Sequence, residues 1–483
     1  MATALSPEND WGEPDSSLVA DVRRLLYNPL MPVSPARAAA FDILLRVERE
    51  SAYASELLHS SAYAKLTPAD HALATELVMG VLRWQSLLDH HLARASTQPL
   101  SKLDIEVLLS LRLGLYQLRW LQRIPARAAL NESVELVKRA RKTSAAPFVN
   151  AVLRKLSAGV PGSASEVESA ERGYSTDPGL PLGLRFAHPQ WLVDKWESAF
   201  GNAAAATICQ YDQAHPGTSL RLRNSSAIEV LRNQSIVFRP GLLLHSALRI
   251  ESGNLNSLPA AARASFAIQD EASQLVAAVA GRAATILDCC AAPGGKTSAL
   301  QDRNPSARIF AVELHLHRAR LLRKLLNAAA PSGSALQIVV ADAGCLPLNT
   351  TFDLVLADVP CSGTGTLARN PEIKWKIQPA DLFDLQARQQ HILTSAMCHV
   401  APGGRLIYST CSLEKEENED VVESVLATEK QFSVLDCSTG TDQLRAEGEL
   451  VWNGPPLTRG PYLRTLPGIH PCDGFFAAIL RRD

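Results

Sequence analysis

The sequence predicts a multidomain chain made of an all-α bundle, a small α+β module and an open α/β sheet domain. From Ser34 to about residue 160, apolar residues recur at three- and four-residue spacing with no strand pattern between them. From residue 283 onward, near-continuous apolar runs alternate with helical segments, as in a parallel sheet covered on both faces. At 483 residues the chain is too long for one ordinary domain.

Composition narrows the function classes. An apolar fraction of 46% is ample for buried cores, and no apolar run approaches the roughly 20 residues of a membrane span. Met1 is followed by Glu8, Asp10, Glu13 and Asp15 rather than by a basic and apolar leader, so a cytoplasmic protein is expected. None of the nine cysteines forms a C-x-x-C pair, which fits free thiols and no metal site. A net charge of -1 neither favours nor disfavours a polyanionic partner, because lysines and arginines can gather on one face.

Residues 1–33 read as a flexible arm with one short helical candidate near Leu18 to Tyr27. In the helical part, residues 34–160, Ser34 before Pro35 is an N-cap signal, followed by Phe41, Leu44, Leu45 and Val47 as an apolar face. Thr67-Pro68-Ala69-Asp70 starts a second helix with a stripe through Leu73, Leu77, Val78, Val81 and Leu82. Further helices are expected at Leu103 to Leu121, Ala126 to Arg141 and Ala146 to Leu156. Lys138, Arg139, Arg141, Lys142, Arg154 and Lys155 have no acid among them in sequence; they suit either a phosphate-contacting face or a solvated helix end.

Residues 161–180 are a Pro-, Gly- and Ser-rich linker. In the module at 181–265, His188-Pro189-Gln190-Trp191 opens a helix toward Phe200, and a second runs from Ala203 to Tyr211. Leu220-Arg221-Leu222-Arg223 alternates as a strand, and short strands follow between Ile236 and Ile250. Arg221 and Arg223 share one strand face, which suits a nucleic-acid edge or simple solubilisation. Phe266 to Ala278 is expected to be an amphipathic helix leading into the last domain, 266–483.

That domain carries apolar runs at Ile286-Leu287, Ile309 to Val312, Ile338 to Val340, Leu354 to Leu356 and Leu406 to Tyr408. Helices are expected from Leu314 to Ala329 and from Ala380 to Val400, with a final strand at Gly474 to Leu480. The first run leads through Asp288, small residues, Pro293, Gly294 and Gly295 into a helix start, a loop that lets backbone approach a nucleotide-like ligand. It is no phosphate loop, since Cys290 stands where the first glycine belongs, and it lacks the three spaced glycines of the dinucleotide fingerprint.

The strands end at or near Asp288, Glu313, Asp342, Asp358 and Cys411, and in an open parallel sheet such ends converge on one crevice. Glu313 is placed for ribose hydroxyls and Asp342 for an adenine amino group, although either alone could merely cap a helix. Together with the glycine loop they describe an adenosine-containing cofactor without a phosphate clamp, which S-adenosylmethionine satisfies. Cys361 and Cys411 lie just beyond strand ends among small polar residues, where a thiolate is favoured. Cys209, Cys345, Cys398, Cys437 and Cys472 are expected to be buried small hydrophobes. Arg369, Lys374 and Lys376 could hold RNA phosphates or form a charged turn. Glu414, Glu416, Glu417 and Glu419 are read as helix-dipole partners, and His315 and His317 as surface residues.

The segments DCCAAPGGKT (288–297), DVPCSGTGT (358–366) and YSTCSLEKEENE (408–419) resemble the signature blocks of RNA 5-methylcytosine methyltransferases. The front helices resemble the NusB-type RNA-binding domain of transcription antitermination factors. Over about residues 35–483 the chain is similar to bacterial 16S ribosomal RNA cytosine-5 methyltransferases. The resemblance implies a Rossmann-like, S-adenosylmethionine-dependent domain and favours the phosphate-contacting reading of the basic stretch. It implies Cys411 as nucleophile, Cys361 in enzyme release, and Asp358 on the pyrimidine edge. Cofactor contacts implied are Cys290, Ala291, Ala292, Pro293, Gly294, Gly295, Lys296, Glu313, Asp342 and Asp358. The implied partner is 16S ribosomal RNA of the small subunit, bound by a monomer without a metal; another RNA such as transfer RNA, or a non-catalytic antitermination or assembly role, are the alternatives. Gly363, where many members of that family carry Ala, is expected to alter loop flexibility only.

Overall fold

Residues 33–50, 52–158, 179–224, 226–255, 258–327 and 335–483 are described by the computed structural model, and they fall into two units, Met1–His188 and Pro189–Asp483. The expected arm and the linker lie outside the described residues, apart from Val33, Gly179 and Leu180.

Among its described residues the first unit contains helices and no strand. Its main helices are Pro35–Glu50, Pro68–Ala95, Ile105–Trp120, Ala126–Arg139 and Ala146–Ser157. Thr67 Oγ1 accepts the Asp70 N–H at 3.1 Å and so satisfies one orphan donor of the long second helix. Leu77, Val78, Val81 and Leu82 are buried, as their spacing requires. Gly80 sits where this helix meets the next, since a Cβ there would lie 2.0 Å from the Tyr116 ring. Tyr116 and Trp84 both stack on Trp120, at 5.4 and 5.5 Å between centroids. Arg112 is buried, with two hydrogen bonds to Asp89 at 2.8 and 2.7 Å and one to Glu48 at 3.1 Å.

The basic stretch is less uniform in space than in sequence. Lys138 pairs with Glu135 at 2.7 Å, Lys142 with Asp104 at 2.9 Å, and the mostly buried Arg139 with Asp42 at 3.6 Å. Arg141, Arg154 and Lys155 remain exposed.

The second unit opens with helices Gln190–Phe200 and Asn202–Asp212, followed by strands β1 (Thr218–Leu222), β2 (Val237–Pro240), β3 (Ala247–Ser252) and β4 (Phe266–Ile268). They form an antiparallel sheet in the order β2-β3-β1-β4 over a core of Leu220, Leu231, Ile236, Leu248 and Phe266. The single helix expected from Phe266 to Ala278 is therefore two elements. Phe266–Ile268 pairs with β1, and Asp270 then caps a new helix, Glu271–Val279, by accepting the Ala272 N–H at 2.9 Å. Arg221 is also corrected: it is buried and bonds to Asp302, to Gln269 at 2.9 Å and to Ser298 at 2.9 Å, and Arg223 joins it on Ser298 at 2.7 Å. These arginines bind the small sheet to the helix Gly295–Arg303 and present no free nucleic-acid edge.

The large sheet contains β5 (Thr285–Asp288), β6 (Arg308–Glu313), β7 (Ala335–Val340), β8 (Phe352–Asp358), β9 (Val400–Thr410), β10 (Phe432–Leu435), β11 (Thr458–Arg459), β12 (Tyr462–Thr465) and β13 (Phe475–Arg482). The order is β11-β12-β13-β9-β8-β5-β6-β7, with β10 also on β13. Strands β5 to β9 pair in parallel, whereas β13 runs antiparallel to β9. Ile286, Leu354 and Leu356 feed one buried face; Leu287, Val355 and Ala357 feed the other. Both faces are thus covered, as the unbroken apolar runs require. The chain runs outward from β5 to β6 and β7, then returns to place β8 on the other side of β5, so the crevice opens above β5 and β8.

Candidate active site

Strand β5 delivers Asp288 to the carboxyl edge of the sheet, and the chain then turns through residues 289–294. The Ala292–Pro293 peptide is cis, and Gly294 has φ +110°, a conformation that favours glycine. A Cβ on Gly294 would stand 2.8 Å from Leu322 Cδ1. Helix Gly295–Arg303 follows at once, so its first N–H groups face back into the turn. Asp288 is almost wholly buried; its carboxylate accepts from Thr297 Oγ1 at 2.7 Å and from the Cys290 N–H at 3.3 Å. Burial pushes its pKa up to about 7, against the opposing pull of the Thr297 hydroxyl. Burial likewise drives the Cys289 and Cys290 thiols upward, which makes both poor nucleophiles.

Glu313 ends β6 and is 5% exposed. Among the described residues its side chain meets the His315 N–H at 2.9 Å and Arg318 at 3.8 Å, both through Oε1. Arg318 also donates to the Ala292 carbonyl at 3.1 Å and ties the first turn to the end of β6. Asp342 lies two residues past β7 rather than at its end, and accepts the Gly344 N–H at 2.8 Å through Oδ1 alone. Each acid therefore caps the following turn with one carboxylate oxygen. The second oxygen of each could accept a hydrogen bond from a ligand hydroxyl or amino group.

Asp358 ends β8 and is held from two sides. Lys296 Nζ donates to Oδ2 at 2.8 Å and Ser409 Oγ to Oδ1 at 2.8 Å. Lys296 also lies 4.6 Å from the centroid of the Phe475 ring. Burial disfavours its ammonium form, but the Asp358 carboxylate outweighs that and raises the pKa. Lys296 is thus a mostly buried partner of Asp358. Ser409, Thr297 and Phe475 were not singled out from sequence. Ser409 could have been, because it stands two residues before Cys411 on the strand paired with β8.

The two cysteines meet. Cys361 Sγ and Cys411 Sγ are 3.3 Å apart, although 50 residues separate them, and both are half-buried. The hydrogen bond with Cys411, then burial, raises the Cys361 pKa well above that of a free thiol, so Cys361 is held as the thiol. Gly365 N donates to the Cys411 carbonyl at 2.9 Å and Gly474 N to the Gly365 carbonyl at 2.7 Å, closing the two loops against the start of β13. Gly363 has φ +76°, and a Cβ there would meet Ile373 Cδ1 at 2.9 Å. Glycine takes this conformation without the strain that a side chain would carry.

Other expectations are corrected. Arg369 pairs with Asp473 at 2.7 Å and Asp270 at 3.0 Å, and Lys374 is wholly buried, so neither lies open for RNA phosphates. Glu414 accepts from Trp196 Nε1 at 3.0 Å and Glu416 pairs with Lys195 at 2.5 Å, both bracing the Cys411 loop against helix Gln190–Phe200. Glu417 is fully buried; it and Glu416 lie in the 3-10 turn Lys415–Glu417, and Glu419 in the first turn of the α-helix Glu419–Leu426. Cys345 and Cys398 are exposed, while Cys209, Cys437 and Cys472 are buried. His315 and His317 are on the surface. Among the described residues, no three His, Cys, Asp or Glu side chains form a metal-ligating group, and no helix is long and apolar enough to cross a membrane.

Comparison with known proteins matches two parts of the chain to families. Residues 278–481 match the family described as 16S rRNA methyltransferase RsmB/F, and residues 34–158 match the NusB family. A probable ribosomal RNA small subunit methyltransferase B of Bacillus subtilis is 32% identical over 468 residues, spanning 94% of this chain and 100% of that protein. The ribosomal RNA small subunit methyltransferase B of Vibrio cholerae is 29% identical, spanning 92% and 97%. Among solved structures, that of PH0851 superposes with a TM-score of 0.73 at 21% identity, covering 92% of this chain and 98% of that one. NSun6 from Pyrococcus horikoshii, solved with SFG, superposes with a TM-score of 0.52 at 19% identity, covering 61% and 98%.

Proposed function

Because the chain belongs to the 16S ribosomal RNA methyltransferase family RsmB/F, we propose that it methylates carbon 5 of a cytosine in 16S ribosomal RNA through a covalent cysteine adduct. The observation that supports this most directly is the thiol pair, Cys361 and Cys411, set 3.3 Å apart beside the glycine turn. A methyltransferase acting on an ordinary nucleophilic nitrogen needs neither sulfur.

S-adenosylmethionine, when bound, supplies a methyl group on a sulfonium sulfur. The turn from Cys290 to Lys296, with Glu313, Asp342 and Asp358, would hold it, the second carboxylate oxygens of Glu313 and Asp342 taking the ribose and adenine. Carbon 5 of cytosine is a weak nucleophile. Cys411 adds its thiolate to carbon 6, forming a sulfur–carbon bond and pushing electron density onto carbon 5. Asp358, fixed by Lys296 and Ser409, hydrogen-bonds the pyrimidine edge and favours its protonated form, which stabilises that density. After carbon 5 has accepted the methyl group it loses its proton. The proton passes to solvent, the carbon–hydrogen pair forms the carbon 5–carbon 6 double bond, and the sulfur–carbon bond breaks with its pair leaving on the Cys411 sulfur. Cys361, 3.3 Å from that sulfur, assists the release.

The target base must leave its stack to reach these groups. The helical unit, through Arg141, Arg154 and Lys155, and the small sheet of the second unit are assigned to holding the RNA in the cytoplasm. Bisulfite sequencing of ribosomal and transfer RNA from a strain lacking the protein tests the substrate. We expect one protected cytosine to disappear from 16S RNA. Loss of protection in transfer RNA alone would replace that substrate.

A further inference from the structure

Glu417 is a carboxylate with no exposure to solvent, six residues beyond Cys411, and the reaction outlined above leaves it unused. Its surroundings are all hydrogen-bond donors. Oε1 accepts from the Ser362 N–H at 2.8 Å and from Gln389 Nε2 at 2.9 Å. Oε2 accepts from Ser362 Oγ and from Ser412 Oγ, each at 2.5 Å. Ser362 follows Cys361 and Ser412 follows Cys411, and their hydroxyls are 3.0 Å apart.

One side chain therefore grips the residue after each cysteine. The grip is itself anchored: Gln389 also donates to the Pro360 carbonyl at 3.0 Å, and Tyr408 OH donates to the Glu417 carbonyl at 2.6 Å. Asn418, also fully buried, accepts from Thr410 Oγ1 and donates to the Ser412 carbonyl at 2.9 Å, fixing the other side of the Cys411 turn. A buried carboxylate is costly unless its lone pairs are satisfied, and here donors from both cysteine loops satisfy them. Neither loop has another charged group shared with its partner among these contacts.

We propose that Glu417 is the positioning residue of the reaction, the clamp that sets the Cys361 loop against the Cys411 loop and so fixes the distance between the two sulfurs. This rests on the division of labour between the thiols given above. Release needs Cys361 beside the adduct, whereas addition needs only Cys411, so loosening the clamp slows release more than addition. The negative charge of Glu417 facing Cys361 also disfavours its thiolate, in keeping with a thiol held back from competing as the nucleophile.

The test compares Glu417→Ala and Glu417→Gln in the full chain with 16S RNA and S-adenosylmethionine. Glutamine can still accept from Ser362 N and Gln389 through its oxygen while its amide faces the two hydroxyls, so the clamp survives in part. We expect Glu417→Ala to lower kcat about 10²-fold, the scale of a misplacement of about 1 Å, with the dissociation constant for S-adenosylmethionine unchanged within about threefold. Covalent protein–RNA adduct is expected to accumulate under denaturing conditions, and Glu417→Gln to recover at least tenfold of the lost kcat. Wild-type kcat in Glu417→Ala would overturn the proposal, as would a loss with no recovery by glutamine. If Glu417→Ala fails to bind the cofactor, the double change Ser362→Ala and Ser412→Ala removes the clamped hydroxyls instead, and wild-type kcat there overturns it equally. Cys361→Ala is run beside these: absence of adduct in that variant counts against the thiol assignment, while the kcat comparison still judges Glu417.

Discussion

Asp288 closes β5 with a carboxyl group that burial shifts to about pH 7, and this has a measurable thermodynamic sign. Below the ordinary carboxylate range the group is protonated in both folded and unfolded chains and costs nothing. As pH rises from about 4 to about 7 the unfolded chain releases its proton first, so stability falls across that window. We expect Asp288→Asn to flatten the fall by at most about 3 kcal/mol, read from urea unfolding at pH 4.5 and 7. A second prediction at this scale concerns Cys411→Ala, which is expected to abolish C5 methylation while retaining cofactor binding by calorimetry. The strand-end acids and the two cysteines were legible because each stands where an apolar run stops. Ser409 and Glu417 were not legible, since what they touch depends on which loop they face, and the charge of Glu417 next to other acids suggested a helix-dipole partner.

Among the elements, the loop after β8 depends on Gly365, where a Cβ would fall 2.2 Å from the Gly474 carbonyl oxygen and 2.9 Å from that of Cys411. Gly365→Ala must push the Cys361 loop away from β13 and from its partner loop. We expect kcat to fall about 10²-fold in steady-state assays, with the helical unit still folded by circular dichroism. Strand β1 makes a contrasting case. Its alternation predicted a strand, and the strand is there, but Arg221 points inward to Asp302, 81 residues later in sequence. Removing one partner of a buried pair strands the other, so Arg221→Ala is expected to cost about 3 kcal/mol in denaturant unfolding. The same limit explains Phe266–Ile268: its apolar period fitted a helix, and only the open edge of β1 made it a strand.

At the scale of the molecule, the alternating apolar runs and the reversal of strand order between β5 and β8 give the catalytic half, and the unbroken helical spacing gives the front half. Acidic partners distant in sequence were invisible, so the basic stretch read as a single patch. In space it divides: Arg154 and Lys155 are exposed, whereas Arg139 is mostly buried against Asp42. Arg154→Ala and Lys155→Ala are expected each to reduce the slope of log K against log salt for RNA binding by about 1, and Arg139→Ala to lower stability with little change in that slope. The central claim is that two neighbouring sulfurs act in turn on one cytosine. It is tested most directly by incubating Cys361→Ala with 16S RNA and S-adenosylmethionine, digesting the denatured product and sequencing the cross-linked peptide by mass spectrometry. A methylated cytidine attached through Cys411 is the result expected; attachment at any other residue, or no adduct at all, would contradict it.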